Sequence, residues 1–541
     1  MESLIRRIVV VGGTAAGWTA AARLASVFGG TVSVTVLEPP SRPAGVSETG
    51  QVSAVPPEVQ RELFDRLGVP EEEWMRACRA SFATAVRYVD WRAGTAGTSA
   101  AKGPGRFRAD HFYRTCAPLS SCEEFTLLEC WQNRRGSGET IEAFDYACFR
   151  EPPLLDAGKS PRWMDGRAAI PYGWHIDTAM FTRCLRDLAM RRFGVRAVRD
   201  APIRAERDAD GMLTLLHTAE SGPVPGDLFL DCTGDERLLM TGMLGEPFVE
   251  TDESPGCDSA VTVTVPMDEE THAIEPFTTV TALPDGWAWK MPLLGGFGAG
   301  RVYARDLTGP DEALKALGDL HGPLPRNATV RHSGYRTGHL RRSWAGNCVA
   351  VGRAAQVLEP LADDGLGEVL RQVGHLIRDF PALRDREAPA ARYDRAVRRR
   401  HEAARDLAAL RYAVAPGLDT PFWTDRRARP LPDAVRESLA AYRAGLSPGQ
   451  DTQEVVSYTL LASLLTKPPS PRPALAHRPA ARREADALFL RVARQQQILL
   501  ETLPTAQEYL RRLHNRPPSV AADPCAAAGR HTDPSLPPVT A

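Results

Sequence analysis

The chain has 541 residues, 43% of them hydrophobic and 25% charged, the composition of a globular protein large enough to bury its core without disulfides or metals. Lys+Arg and Asp+Glu number 66 and 67, a net charge of −1, and that balance argues against nucleic-acid or membrane-surface binding. Ten scattered cysteines without a C-x-x-C spacing exclude the usual zinc frameworks, so no metal site is expected and the thiols are predicted to be reduced, in a cytoplasmic protein. The apolar run Ile8–Gly13 is too short for a signal peptide, and no stretch approaches the roughly 20 apolar residues of a membrane span.

In chain order, IRRIVVV (5–11) predicts a buried parallel strand ending at a glycine turn. A helix over AAGWTAAARLASVFG and a second strand, VSVTVLE, ending at Glu38 follow. Residues 57–80 are helix-rich, and 93–109 form a small-residue, basic loop. An amphipathic helix is predicted over 175–193, introduced by Asp177-Thr178. The run at 224–239 reads as a turn, a strand and a loop returning to the sheet, 258–304 alternate as β structure, and GNCVAVG (346–352) is another buried strand before a glycine turn. Beyond about 367 the chain reads as helical, and 516–541 as a disordered tail. The expected organisation is therefore an α/β unit over 1–366, containing a substrate-facing β segment at 258–304, then helices over 367–515 and the tail.

The first turn reads Gly12-Gly13-Thr14-Ala15-Ala16-Gly17, a dinucleotide fingerprint with Thr14 at the middle glycine position. In that fingerprint the helix start takes a pyrophosphate, and Glu38, at the end of the second strand, is placed to hold the adenosine ribose. Only five lysines are present (Lys102, Lys159, Lys290, Lys315 and Lys467), so chemistry that needs an ammonium has five candidates.

From GGTAAGW onward the sequence resembles the flavin-dependent tryptophan halogenases. The likeness runs through LGVPEEEWM (67–75), DHFY (110–113), WHID (174–177), DLFLDCTG (227–234), GWAWKMPLLGGFGAG (286–300), LEPL (358–361) and LPTAQEYLRRL (503–513). The W-x-W-x-x-P element, Trp287, Trp289 and Pro292, is highly specific and implies a flavin tunnel. The resemblance implies an α/β FAD-binding, Rossmann-like fold of the halogenase and aromatic hydroxylase type with a helical substrate region. It also implies FAD reduced by a separate flavin reductase, a small-molecule or carrier- or peptide-tethered aromatic substrate, and a homodimer. Besides the fingerprint and Glu38, it places Ser47, Glu48, Asp235, Gly365 and Leu366 at the cofactor.

This chain departs from the family where the chemistry sits. The family's lysine, which positions or captures hypohalous acid, aligns with Ala83, and its glutamate aligns with Ala362. The serine and threonine of the halide site become Asp363 and Asp364, carboxylates that repel an anion by about 1 kcal/mol in water and more when desolvated. The active-site histidine after DHFY is Arg114, a candidate for binding a substrate carboxylate. The late helical segment 452–473 keeps Tyr458 but no tryptophan or phenylalanine, so its aromatic wall for an indole is depleted. Asp363, Asp364, Glu368 and Arg114 are the catalytic candidates. The expectation is an FAD-dependent oxidoreductase of specialised metabolism, such as antibiotic biosynthesis, acting as a monooxygenase that has left halogenation. Its alternatives are a non-catalytic, flavin-independent relative, with FAD binding lost through Thr14, and a halogenase with a relocated site.

Overall fold

The computed structural model describes residues 4–39, 52–91, 111–113, 120–122, 124–139, 141–251, 256–267, 273–361, 365–381, 386–414, 418–448, 452–465, 469–471 and 473–515. The β-branched run Arg7–Val11 is the centre of a six-stranded sheet, and its residues 8–11 are buried. Arg196–Val198, Ser33–Leu37, Arg7–Val11, Leu228–Asp231 and Cys348–Ala350 lie side by side and parallel, and Trp344–Ala345 closes the edge antiparallel. Ile8 is in register with Val34 on one side and Leu228 on the other. Strands covered on both faces select continuous apolar runs. The helix Ala15–Phe28 covers one face and packs against the helices Thr178–Phe193 and Leu366–Arg378. Its fully buried Ala20, Ala21 and Ala22 permit that close approach.

A second, seven-stranded sheet carries the β pattern read at 258–304. It recruits Val86–Val89 and His111–Tyr113 at one edge and Thr329–Gly334 at the other. A three-stranded sheet of Val52–Val55, Gly173–Asp177 and Ser81–Ala83 lies against it. The two approach so closely that a Cβ at Gly298 would sit 2.6 Å from the Cβ of Val52.

One expectation changes. The helix predicted over 175–193 begins only at Thr178, where the Asp177 carboxylate caps it by accepting the Met180 amide at 2.8 Å. Residues 173–177 form a strand instead, because pairing with Val52–Val55 and Ser81–Ala83 on both sides buries His175 and Ile176. The helices after residue 366 divide between two cores. Leu366, Val369, Leu370, Val373 and Leu376, with Tyr393, Val397, Tyr509, Leu510 and Leu513, join the core of the parallel sheet. The remaining C-terminal helices build a second core with Trp131, Trp287 and Trp423. The 93–109 loop and the 516–541 tail lie outside the described residues. Among the described residues, seven cysteines are free thiols and no helix is long and apolar enough to cross a membrane.

Candidate functional site: a dinucleotide cleft beside an aromatic cluster

Strand order reverses between Arg7–Val11 and Leu228–Asp231, and a crevice at the carboxyl ends of such strands is where α/β sheets take their ligands. Gly12 turns the chain there with φ +127°, and a Cβ on it would lie 2.4 Å from the Cys232 carbonyl oxygen. Gly17 is packed as tightly, since a Cβ would come 1.9 Å from the Gly12 oxygen. Thr14 needs no glycine-like conformation. At φ −85°, ψ 174° it is the N-cap of the Ala15–Phe28 helix, and its Oγ1 accepts the Gly17 amide at 3.4 Å. A hydroxyl at this position satisfies a helix-end donor that a phosphate would otherwise compete for. Gly13, Thr14 and Ala16 are half-buried at the mouth of the turn, while Ala15 and Gly17 are buried.

Glu38 lies at the end of the neighbouring strand. Its Oε1 accepts from Trp18 Nε1 at 3.0 Å and Arg186 Nε at 3.1 Å, and its Oε2 faces the exposed Arg199 at 3.5 Å. Asp235, in the turn after Leu228–Asp231, accepts from Arg353 through Oδ2 at 2.8 Å, and its buried Oδ1 has no hydrogen bond. Gly352, at φ +68°, lets the Leu366–Arg378 helix approach. A Cβ there would touch Val369 at 3.3 Å and Ala16 at 3.6 Å. Gly365, at φ +53°, turns the chain into that helix at Leu366. These groups fit a dinucleotide: helix-start amides for a pyrophosphate, Glu38 Oε2 for a ribose hydroxyl, and Asp235 Oδ1, which makes no hydrogen bond and has the Arg237 guanidinium 3.9 Å away, for a polyol hydroxyl. Ser47 and Glu48 lie outside the described residues.

Of the four catalytic candidates, Asp363, Asp364 and Arg114 lie outside the described residues, as does Ala362. Glu368 is described and buried, and the fold consumes its carboxylate. Oε1 accepts from Gln356 Nε2 at 2.9 Å and Gln372 Nε2 at 3.0 Å, and Oε2 meets Arg371 at 2.9 Å and Arg400 at 3.2 Å. With its carboxylate held by these four donors, Glu368 ties its helix to the Gln356–Val357 strand and the Glu387–Ala413 helix.

Ala83 ends the Ser81–Ala83 strand in register with Gly173, offering only a methyl group. Beside it, the buried His175 ring lies 3.3 Å from Ser81 Oγ and 2.9 Å from Thr278 Oγ1. Burial pushes its pKa down to about 3, so it is a neutral link between strands.

None of the described lysines substitutes at Ala83. Lys290 pairs with Glu275 at 3.0 Å and lies 5.4 Å from the Phe297 ring. Alternation along its strand puts it opposite Trp287 and Trp289. Lys159 donates to the Leu503 carbonyl oxygen at 2.8 Å, and Lys315 is exposed on the Pro310–His321 helix. Lys102 and Lys467 lie outside the described residues.

The W-x-W-x-x-P element forms the strand Gly286–Leu293. Trp287 is buried and donates through Nε1 to the Tyr412 hydroxyl at 3.1 Å. The Trp289 ring covers Gly300, where a Cβ would clash at 2.6 Å. The Pro292 carbonyl accepts the Ser81 hydroxyl. Tyr458 packs edge-on against Tyr442 at 5.5 Å between centroids inside the second core.

Sequence reasoning missed the groups packed behind Trp287. Tyr412 donates to Glu359 Oε1 at 2.9 Å. Burial raises the Glu359 pKa to about 8, against smaller opposing effects of Tyr412 and Arg426. The buried Arg411 guanidinium lies 4.6 Å from the Tyr88 ring centre and 4.8 Å from that of Tyr113. The only signal was Glu359's place inside LEPL, because nothing local marks a tyrosine and an arginine in the middle of a 27-residue helix as site residues.

Comparisons with known proteins agree with this geometry. The tryptophan halogenase family model matches residues 7–477. Over 540 residues the chain is 36% identical to the tryptophan 7-halogenase RebH of Lentzea aerocolonigenes, covering 95% of this chain and 100% of that one. It is 35% identical to the tryptophan 6-halogenase ThaL of Streptomyces albogriseolus, over 95% and 99% of the two chains. The solved structure of the tryptophan 6-halogenase SttH of Streptomyces toxytricini superposes with a TM-score of 0.83 at 31% identity, over 94% of this chain and 99% of that one. The chain belongs to the tryptophan halogenase family and has its FAD-binding α/β fold.

Proposed function

We propose that this protein is an FAD-dependent oxidoreductase that hydroxylates or oxidises an aromatic or amino-acid-derived small molecule, free or carrier-tethered, without halogenating it. Family membership supports FAD and a separate flavin reductase as partners. The observation that carries the reading is Ala83: a methyl group stands where the resemblance implies an ammonium, and Lys159, Lys290 and Lys315 are held elsewhere. Without an amine to position it, hypohalous acid has no directed route to a ring carbon. When bound, FAD supplies the reducing equivalents for oxygen activation. The chain would hold its pyrophosphate at residues 13–17, its ribose at Glu38 and its polyol at Asp235. The buried Trp287 and half-buried Trp289 supply flat apolar surface for an aromatic ring and exclude water.

The test supplies the purified protein with FAD, a flavin reductase, NADH and oxygen, together with L-tryptophan and a panel of indoles and phenols, with and without bromide. The expected products carry oxygen or have lost hydrogen, and they form equally in both conditions. A brominated product would establish a halogenase with a relocated site and overturn the reading.

A second reading, a flavin-independent binding protein, is favoured by Thr14, whose hydroxyl already caps the amide of Gly17. Titration with oxidised and reduced FAD separates the two, since a working cofactor site binds on about the micromolar scale. No binding at ~100 μM would favour the second reading.

A further inference from the structure

Behind Trp287 and Tyr412, the Glu387–Ala413 helix crosses the three-stranded sheet of Phe248–Glu250, Gly338–Leu340 and Gln356–Val357. Between them lies a small cleft, open in part to solvent, with room for about one water molecule and lined by Thr251, Thr337, Leu358, Glu359, His401 and Arg405. Three buried polar atoms of those lining residues make no hydrogen bond within the protein: Thr337 Oγ1, His401 Nδ1 and Glu359 Oε2. Thr337 is 6%, His401 6% and Glu359 3% exposed. Buried polar groups left unpaired by protein are normally satisfied by water or ligand, and three convergent partners are what a bound water needs. Thr251 holds His401 through Nε2 at 3.0 Å, which leaves the opposite ring nitrogen for the cleft. On its inner side, Glu359 Oε1 accepts from Tyr412, which in turn accepts from Trp287. Glu359 thus has one oxygen bonded to Tyr412 and one left for the cleft.

We propose that this cleft holds an ordered water, bonded by Thr337 Oγ1, His401 Nδ1 and Glu359 Oε2, through which the buried Glu359 carboxyl exchanges its proton with solvent while Oε1 stays bonded to Tyr412. The proton on Oε2 passes to the cleft water as that water returns one of its own, so only O–H bonds form and break and no oxidant or reductant is needed.

The groups facing Glu359 suit the task. Tyr412, His401 and Arg405 come from the long helix, Arg426 from Pro421–Ala428, and Cys257 and Tyr335 from the ends of neighbouring strands. Burial and Glu359 both raise the Tyr335 hydroxyl, and burial holds His401 down to about 4. At neutral pH Glu359 is therefore the carboxyl in this set that carries an exchangeable proton.

The test is infrared spectroscopy of the full chain, without flavin or substrate, so its outcome is independent of the enzymatic reading. The protonated-carboxyl band at pH 7 is compared between wild type and Glu359→Gln, and its shift is timed after dilution into D2O. The expected result is a band absent from Glu359→Gln that shifts within seconds in wild type. Thr337→Val, nearly isosteric, should slow the shift about tenfold, the effect of one lost hydrogen bond; Thr337→Leu, which also fills the cleft, should slow it at least as much. A band unchanged in Glu359→Gln, a shift on the timescale of global unfolding, or an unaltered rate in both Thr337 variants would overturn the proposal.

Discussion

His175 makes the strongest quantitative prediction about this fold. Its ring is buried, links Ser81 to Thr278, and is held neutral by burial with a pKa of about 3 instead of 6.5. Between pH 6.5 and 3 the unfolded chain binds a proton here that the native state refuses, so stability rises with pH across that window and is lost on acidification. Each unit corresponds to about 1.4 kcal/mol, so lowering the pH from 6.5 to 5 removes about 2 kcal/mol through this residue. In His175→Gln an amide can still meet Thr278 but cannot titrate. At pH 8 the variant should be less stable than wild type by about 1–3 kcal/mol, from the lost Ser81 contact and ring volume. The gap should then narrow by about 2 kcal/mol between pH 6.5 and 5. His321 and His401, both lowered by burial to about 4, are common to the two proteins and cancel. The assay is urea unfolding followed by tryptophan fluorescence at pH 8, 6.5 and 5. A gap that stays constant or widens on acidification would show that the native state accepts a proton at His175, refuting the argument from burial.

Three further outcomes are expected. Thr14→Gly should change stability by only a few tenths of a kcal/mol, since glycine is a tolerable N-cap, yet bind FAD more tightly in a fluorescence titration; unchanged affinity would clear Thr14 of any effect on the pyrophosphate turn. Glu368→Ala should cost about 2–4 kcal/mol by orphaning Gln356 and Gln372, with the half-exposed Arg371 pair adding little; loss of turnover at undiminished thermal stability would return Glu368 to the catalytic set. Lys290→Ala should cost less than about 1 kcal/mol, because its pair with Glu275 is partly exposed, and leave product formation intact, whereas a folded but inactive variant would identify Lys290 as the missing ammonium.

The nucleotide half was legible because its signals are local. A β-branched run, a glycine turn, a small-residue helix and an acid at the next strand end can be read within 40 residues, and Gly12, Gly17 and Glu38 stand where that pattern places them. The β alternation read over 258–304 likewise became strands of the second sheet. Other features were not local. Glu368 reads as an acid at a helix start, and only Gln356, Gln372 and Arg400, brought in from other turns and another helix, make it a structural tie. His175 and Asp177 look helical until strands from residues 52–55 and 81–83 close on either side.

By itself, then, the sequence determined the family, the parallel sheet and the absence of a lysine at position 83. Each of these depends on residue types at short spacing. Tertiary structure alone decided that Tyr412 and Glu359 meet behind Trp287, that the helices after 366 divide between two cores, and which carboxylates the fold consumes. Burial and hydrogen-bond partnership arise between segments hundreds of residues apart, and those set what a carboxylate or an imidazole can do.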